Sequence, residues 1–273
     1  MAIGIRIGIP FIKSSGSSGG GFTAEYTAIL ARATALGYAF PSAGVQVLQN
    51  TLVKALVDGG VWTKLDHLKI YAGSNSDFSL INWITPANFL STKVNSPTYG
   101  YAYGFKGNAT NAHLQTGFTP SGSLNYKQDD ACYFNYRKTE STVGQLQNYM
   151  GSFDFSRNVL LGSYGSNNFE TAINAVSFPA GNYSTGGSTI GLTLLNRENS
   201  TQHKVWLNNN LLATVTSAST GVPTAEFLTC ILNTSIGVLS SDAERSMDGA
   251  GAALSSGQIA TLTNSFATYL AAL

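Results

Sequence analysis

The sequence predicts a mainly β fold, in which two antiparallel sheets form a sandwich with a small helical N-terminal segment and a C-terminal helix. From about residue 66 to about residue 239, short runs alternate apolar and polar side chains, which is typical of half-buried strands. Turn residues separate these runs at intervals of roughly 8–12 residues, as in sandwiches and barrels. Outside this region, apolar residues recur with the spacing of an amphipathic helix.

The first residues of the chain predict an arm and a linker. Four isoleucines alternate with glycine or arginine: Ile3, Ile5, Ile7 and Ile9. A strand would place all four on one face, and Pro10 limits its continuation. The Gly/Ser-rich stretch 14–21 is typical of a flexible linker. An isolated strand is unstable, so we expect residues 1–13 to anchor the chain to a neighbouring subunit. Pairing with an edge of its own sandwich is the alternative.

Residues 22–62 predict a helical segment of two helices. In the first, five apolar residues share a face before Gly37 ends the helix: Phe22, Tyr26, Ile29, Leu30 and Ala33. The second begins after Ser42 and ends at Gly59 and Gly60. Its apolar stripe consists of Val45, Leu48, Leu52 and Leu56.

Residues 63–273 are predicted to form the sandwich and the C-terminal helix. The strand-like runs are 66–72, 130–136, 159–164, 173–178, 189–195, 203–207, 211–215 and 226–232, of which we expect the last to be the final strand. Asn208, Asn209 and Asn210 separate two of these runs, and because Asn tolerates left-handed backbone, they predict a tight hairpin turn. The C-terminal helix, capped by Ser255 or Ser256, has the apolar face Ile259, Leu262, Phe266, Tyr269 and Leu270.

The composition disfavours several classes of partner. Charged residues make up 11% of the chain, against roughly 25% in a typical soluble domain. The net charge is +1 without a basic stretch, so we expect no nucleic-acid partner. No apolar run reaches the ~20 residues of a membrane span, and the N-terminus does not have the pattern of a signal peptide. The abundant hydroxyl and amide side chains are common in extracellular and virion β proteins and suit neutral ligands.

The two cysteines, Cys132 and Cys230, both lie in apolar, strand-like runs. Buried free thiols are the expected state, because cysteine behaves as a small apolar residue. A disulfide is the alternative if the two strands are neighbours.

The sequence shows no recognisable arrangement of catalytic residues. A retaining glycosidase needs two carboxylates roughly 5 Å apart. Asp129 and Asp130 are adjacent and would point to opposite faces of a strand, whereas Asp242 and Glu244 lie in a Ser-rich stretch expected to be a loop. We therefore expect the protein not to be an enzyme and to use no cofactor.

Metal ligands are not grouped in the sequence either. His67, His113 and His203 are far apart, and we expect each to be a strand or loop residue at the surface. The candidates for a calcium site do not form a loop motif: Asp77, Asp129, Asp130 and Asp154. We therefore expect no metal.

Aromatic residues are the candidate ligand-binding groups. Tyr99, Tyr101 and Tyr103 alternate and would share one face of a strand, and Tyr136 is added from a second strand. Sugar rings stack on aromatic faces, and amides and hydroxyls bind sugar hydroxyl groups. The alternative is that these tyrosines fill the core or a subunit interface. Trp83 and Trp206 are expected in the core.

Several segments resemble one known group of domains. They are 204–212, where Asn209 stands in place of the usual glycine, 104–118, and 249–255 leading into the C-terminal helix, together with Asn82 and Trp83. In this order they resemble the laminin-G/concanavalin A-like domains of virion proteins from phages that infect Bacteroidota. The resemblance implies a concanavalin A-like jelly roll that mostly binds, often to glycans, although some members are glycan hydrolases or lyases.

The resulting functional hypothesis is a non-enzymatic virion structural protein: a surface decoration, fibre or tail-associated protein. We expect other virion proteins to hold it through the arm, self-association into a homo-oligomer, and host surface glycans as further partners. A glycan-binding adhesin and a glycan-degrading enzyme are the alternatives.

Overall fold

The computed structural model describes residues 21–141, 147–164, 168–176, 183–184, 188–234 and 237–273. The predicted arm and its four isoleucines lie outside these residues. The α-helices are α1 (Ala24–Leu36), α2 (Ala43–Asp58) and α3 (Ser256–Ala271). The strands are β1 (Leu65–Ile70), β2 (Thr92–Val94), β3 (Thr98–Gly100), β4 (Gly104–Lys106), β5 (His113–Gln115), β6 (Ala131–Arg137), β7 (Gln147–Ser152), β8 (Asn158–Tyr164), β9 (Asn168–Ala175), β10 (Tyr183–Ser184), β11 (Gly191–Arg197), β12 (Gln202–Leu207), β13 (Asn210–Thr216), β14 (Leu228–Thr229), β15 (Ile231–Thr234), β16 (Gly237–Ser240) and β17 (Glu244–Gly251).

Two antiparallel sheets form a sandwich, which confirms the predicted fold class. Within the described residues, sheet A has the strand order β13-β12-β11-β6-β17-β4-β3, with β1 also paired to β17. Sheet B has the order β10-β9-β8-β7-β14-β5-β2, and β15 and β16 form a separate hairpin. Strand β17 is central, because β6 pairs along one of its edges while β1 and β4 share the other.

The three helices cover the outer face of sheet A. Their apolar residues, among them Ile29, Leu56 and Phe266, form one core with outward residues of the sheet such as Phe134 and Leu194. The side chains of Thr23, Ser42 and Ser255 accept hydrogen bonds from the first turn of their helices, as predicted for Ser42 and Ser255, whereas the cap at Thr23 was not predicted. In α3, Gln258 completes a capping box.

The space between the sheets contains both an apolar and a polar region. Apolar residues of both sheets, including Phe118, Tyr133, Ile173 and Phe227, fill one part. The other part holds charged side chains with at most 1% exposure: Lys69, Arg137, Arg197, Arg245, His67 and Asp248. Charged residues are rarely buried without partners, so this polar interior needs a network of hydrogen bonds.

The hairpin of β12 and β13 confirms the prediction of a tight turn. Leu207 pairs with Asn210, so the loop has two residues. Asn208 and Asn209 have φ angles of 47° and 67°, and positive φ at both central residues is the requirement of a type I′ turn.

Three predictions about the strands need correction. The run 226–232 is not one strand, because Cys230 adopts a φ of 71° between β14 and β15. It is also not the last strand, since β16 and the central β17 follow. The run predicted at 173–178 begins earlier and ends at Ala175. Cys132 and Cys230 are free and buried, as expected.

Candidate functional site

The predicted tyrosine face does not exist as one strand. Tyr99 lies in β3, but Tyr101 and Tyr103 both belong to the turn that precedes β4. The Tyr99 hydroxyl donates to the carbonyls of Tyr71 and Ser74, and burial raises the pKa of this hydroxyl. Tyr99 therefore fixes a loop, whereas the side chains of Tyr101 and Tyr103 are exposed.

Tyr136 lies in β6 and faces the helices on the outer face of sheet A. Its ring meets that of Phe266 in α3 edge-to-face at a centroid distance of 5.1 Å. The side chain is half-buried, and burial raises the pKa of its hydroxyl. The structure thus places Tyr136 between the sheet and a helix.

The expectation that the histidines lie at the surface is wrong. His67 and His203 are fully buried, and His113 is 8% exposed. Within the sandwich, Nε2 of His67 lies 2.9 Å from Oδ1 of Asp248. Nε2 of His203 lies 3.0 Å from Oγ1 of Thr171 in sheet B. His67 lies in β1 and His203 in β12. In each strand the alternating pattern correctly puts the histidine on one face, but that face points into the polar interior.

Asp248 is the centre of the buried hydrogen-bond network. Besides His67, it accepts hydrogen bonds from the hydroxyls of Tyr71 and Thr229. Burial alone would raise the pKa of the Asp248 carboxyl, but the hydrogen bonds from these three partners hold it below the usual value. Since both His67 and Asp248 have no exposed side-chain surface, this dyad stabilises the sandwich and is not open to a substrate.

The acidic residues considered for metal binding lie apart and have partners of their own. Asp77 pairs with Lys93 at 2.7 Å. Asp129 accepts from the hydroxyl of Ser219, Asp130 from the Ala253 amide, and Asp154 from Thr224. In the part of the chain that the structure describes, no three His, Cys, Asp or Glu side chains group as metal ligands.

An open cleft on the outer side of sheet A is the best candidate for a ligand site. It has a volume of about 490 Å³. Its lining combines Trp206, the charged pair Glu198 and Lys204, apolar surface, and serines at the start of α3: Glu198, Lys204, Trp206, Leu211, Ala253, Leu254, Ser255 and Ser256. We call it the Trp206 cleft. Known ligand pockets have volumes of roughly 300–1,000 Å³.

Strand β12 places Lys204 and Trp206 in this cleft by simple alternation. His203, Val205 and Leu207 point into the sandwich and are buried, so the two residues between them share the outward face. Trp206 is half-buried against the helix-side core. Trp206 was expected in the core, and the structure corrects this, whereas Trp83 is fully buried as expected.

Hydrogen bonds fix the charged wall of the cleft. Oε2 of Glu198 accepts from Nζ of Lys204 at 2.9 Å, and Oε1 accepts from Nδ2 of Asn196 at 2.7 Å. Asn196 is buried and also bonds both the carbonyl and the amide of Leu254, each at 2.9 Å. Asn196 therefore ties the end of β11 to the segment that leads into α3. The cleft is built on rigid elements.

Part of this cleft could have been predicted from the sequence. The prediction of strand 203–207 already implied that Lys204 and Trp206 share one face. What the sequence did not reveal was the position of α3, whose first residues form the opposite wall. Glu198 lies between two strands, and nothing in its local sequence marks it as a neighbour of Lys204.

Comparison with known proteins supports the fold. No protein-family model and no curated protein matches the sequence. Among solved structures, a Trypanosoma rangeli sialidase in complex with a difluorinated sugar acid has a TM-score of 0.55 at 12% identity, covering 82% of this chain and 40% of the sialidase. The botulinum neurotoxin serotype D binding domain in complex with N-acetylneuraminic acid has a TM-score of 0.52 at 10% identity, covering 77% of this chain and 52% of that one.

These matches show a β-sandwich fold, in agreement with the predicted fold class. The chain spans only about 40–50% of the length of the structures it matches, 40% for the sialidase and 52% for the toxin domain. At such low identity the likeness carries the fold alone. No link to phages or virions appears among these structures.

The prediction that the protein is not an enzyme is contradicted by this comparison. Several of the matching structures are sialidases, one of them a mutant with trans-sialidase activity at a TM-score of 0.51. The sandwich therefore occurs in enzymes as well as in binding domains. The absence of a familiar carboxylate motif in the sequence was not a sufficient reason to exclude catalysis.

Proposed function

We propose that this protein binds carbohydrate and holds one sugar residue in the Trp206 cleft. The observation that carries the proposal is the combination of a half-buried tryptophan with a fixed carboxylate–ammonium pair in one open cleft of about 490 Å³. Aromatic rings bind the apolar faces of sugars, and a few polar groups fix their orientation.

The electrostatics of the cleft favour a neutral sugar. Glu198 and Lys204 compensate each other at 2.9 Å, so the wall has polar groups without a net charge. A carboxylate accepts hydrogen bonds from sugar hydroxyls, and an ammonium donates to their oxygens. Both side chains are partly exposed, at 42% and 30%, and so are accessible to a ligand.

The structural comparison supports carbohydrate as the general class of ligand but not the preference for a neutral sugar, because N-acetylneuraminic acid carries a carboxylate. One matching structure is a toxin binding domain in complex with N-acetylneuraminic acid. That observation concerns the toxin domain, and here it supports only the general class of a lectin-like function.

The experiment is a glycan array followed by calorimetric titration with the free sugars that score. Trp206→Ala and Glu198→Gln should each weaken binding by about tenfold, a loss of roughly 1.4 kcal/mol. Phe40→Ala is the matched control, since it removes an aromatic side chain that is 48% exposed and lies in the connection between α1 and α2. Circular dichroism establishes that each variant is folded. Unchanged affinity of folded Trp206→Ala and Glu198→Gln, or no sugar bound by the full chain, contradicts the proposal.

We also propose that the protein belongs to a virion surface, to which residues 1–13 anchor it. Support comes from the sequence: the alternating isoleucines, the Gly/Ser-rich linker, the low charge and the resemblance to phage domains. Four exposed isoleucines would each forgo roughly 1.5–3 kcal/mol relative to burial. A strand added to a neighbouring subunit would recover that free energy and fix the register.

Deletion of residues 1–11 tests the anchor. The shortened chain should keep the melting temperature of the full chain but lose its self-association in analytical ultracentrifugation. A melting temperature lower by many degrees, with assembly intact, would instead mean that the arm pairs with its own sandwich.

A further inference from the structure

The loop between β7 and β8 exposes a phenylalanine in an unusual backbone conformation. Phe155 is 72% exposed and has a φ of 39°. The amide of Arg157 donates to the carbonyl of Asp154 at 3.0 Å, which closes a β-turn with Phe155 and Ser156 at its centre. Hairpin turns with positive φ normally have glycine, asparagine or aspartate at the central positions. A bulky side chain at positive φ is an outlier that needs an explanation.

The surrounding residues hold this turn in place. The carboxylate of Asp154 accepts hydrogen bonds from the Thr224 amide at 3.0 Å and from the Thr224 hydroxyl at 2.6 Å. The Asp154 amide donates to Oδ1 of Asn158 at 3.1 Å. Asn158 is 1% exposed and donates in turn to the carbonyl of Val176 at 3.0 Å. The exposed ring of Phe155 is thus presented from a fixed base.

A second cleft lies next to this ring. The rings of Phe155 and Phe153 meet at a centroid distance of 5.3 Å. Phe153 lines a cleft of about 220 Å³, together with Gln115, Glu226 and Leu228. Phe153 also packs on Leu160, which alternates along β8 with the inward-facing Val159 and Leu161. The cleft is therefore on the outer face of sheet B, on the other side of the sandwich from the Trp206 cleft.

The polar groups of this cleft are suited to hydroxyl groups. Oε1 of Glu226 accepts a hydrogen bond from the Gly117 amide, which fixes the carboxylate beside the cleft. Gln115, at the end of β5, is exposed and offers an amide oxygen and an amide NH2. Aromatic, amide and carboxylate groups thus converge on one cleft of about 220 Å³. This is smaller than the roughly 300–1,000 Å³ of known ligand pockets, so a sugar in it would also contact the exposed Phe155 ring at its side.

We propose that the Phe155 loop and the cleft beside it form a second carbohydrate site, which takes one neutral sugar residue against the phenylalanine pair. Only the ligand class rests on the proposed function, because the residues of the two sites do not overlap. The strain at Phe155 is the reason to assign a role to this loop, since strained residues persist where the surrounding structure fixes them and are frequent at binding sites.

Phe155→Gly separates binding from folding. Glycine suits the positive φ, so this variant should be at least as stable as the parent chain. Ala109→Gly is the matched control, because Ala109 also has a positive φ, of 61°, in a different loop. Binding of methyl hexosides is followed by saturation-transfer NMR and calorimetry in the full chain and in the Trp206→Ala background.

In the Trp206→Ala background, the remaining sugar binding should weaken about fivefold with Phe155→Gly, in keeping with the usual contribution of an aromatic contact. Gln115→Ala should weaken it as well, and Ala109→Gly should leave it unchanged.

If Trp206→Ala alone abolishes all binding, the second site is wrong and the proposed function stands. If Phe155→Gly alone abolishes binding and Trp206→Ala has no effect, the second site stands and the Trp206 cleft is wrong. If Phe155→Gly changes only the oligomeric state, the loop binds protein and the proposal is overturned.

Discussion

Asp248 of sheet A accepts a hydrogen bond from the hydroxyl of Thr229 in sheet B at 2.6 Å, so one carboxylate joins the two layers of the sandwich. Its other oxygen accepts from His67 of the neighbouring strand β1 at 2.9 Å. Asp248 also favours the charged form of Lys69, whose Nζ donates to the Leu80 carbonyl at 2.7 Å and to that of Phe89. The buried charges are therefore coupled to each other and to the loops around the sandwich.

Loss of the Asp248 charge should destabilise the fold strongly. In Asp248→Asn, the side chain keeps its shape, but only one of its two polar atoms can still accept, so at least one of the donors His67, Tyr71 and Thr229 loses its acceptor. Leaving a buried polar group unpaired costs about 1–3 kcal/mol, and Lys69 also loses the favourable interaction with the carboxylate. Urea unfolding measures the change. The control is Asp77→Asn, because Asp77 pairs with Lys93 at the surface with 55% of its side chain exposed, where a pair contributes about 0–1 kcal/mol. Equal effects of the two substitutions would show that the network is not cooperative.

His203 should make the protein acid-labile. Burial first, and then the charge of Arg197, lower the pKa of His203 to about 3. The unfolded chain takes up this proton near pH 6.5, whereas the folded chain does not until about pH 3. The unfolding free energy should therefore fall as the pH drops below 6.5, by roughly 1.4 kcal/mol per pH unit.

The comparison variant for this prediction is His203→Gln, which keeps a polar side chain opposite Thr171. Unfolding free energies at pH 7 and pH 5 are measured for both proteins. Burial also lowers the pKa of His67. This histidine contributes equally to the parent and to the variant, so the difference between their pH profiles isolates His203. We expect the parent to lose about 2 kcal/mol more than the variant over this interval. Parallel pH profiles would contradict the assignment.

Lys69 should make the unfolding free energy increase as the pH rises above about 7. Burial lowers the pKa of Lys69 to about 7, although Asp248 and Glu226 oppose the shift. Between about pH 7 and 10.5 the unfolded chain carries a proton that the folded chain has lost, so this group increases stability as the pH rises. Lys69→Met removes the titration. The change in unfolding free energy from pH 7 to pH 9 should be more positive in the parent, by up to about 2.7 kcal/mol. An equal change in both proteins would mean that Lys69 stays charged in the fold.

The helices and the β12–β13 hairpin were predictable because local chemistry determines them. Ser42 and Ser255 cap their helices through their own side chains, and Gly37 ends α1 with a φ of 70°. Asn208 and Asn209 suit the positive φ of the hairpin turn. In each case a residue and its neighbours within a few positions specify the structure, so no tertiary information was needed.

Strand β17 was missed because tertiary packing determines it. Its sequence, with Gly249 and Gly251 among polar residues, does not alternate as a half-buried strand does. A Cβ atom at Gly249 would lie 2.3 Å from the ring of Phe134, and one at Gly251 would lie 2.2 Å from the Lys64 carbonyl. The glycines are required by close neighbours that are distant in sequence. The same holds for the Trp206 cleft, whose walls come from β11, β12 and the start of α3.

The two asparagines of the β12–β13 turn should respond in opposite ways to glycine, although both have positive φ. Oδ1 of Asn208 accepts a hydrogen bond from the Leu192 amide at 2.9 Å, and Nδ2 of Asn208 donates one to the Ile190 carbonyl at 3.0 Å. No side-chain hydrogen bond of Asn209 is found among the described residues. Asn208→Gly should therefore destabilise the protein by about 1–2 kcal/mol, since two hydrogen bonds of roughly 1 kcal/mol each are lost and the backbone gain is smaller.

Asn209→Gly is the matched variant in the same turn. Asn-Gly is the preferred sequence of a type I′ turn, so the relief at positive φ should leave the stability unchanged or raise it by up to about 1 kcal/mol. Thermal and urea unfolding of both variants measure the difference. Equal destabilisation by the two substitutions would indicate that the turn conformation, and not the Asn208 hydrogen bonds to β11, limits the stability of this edge of sheet A.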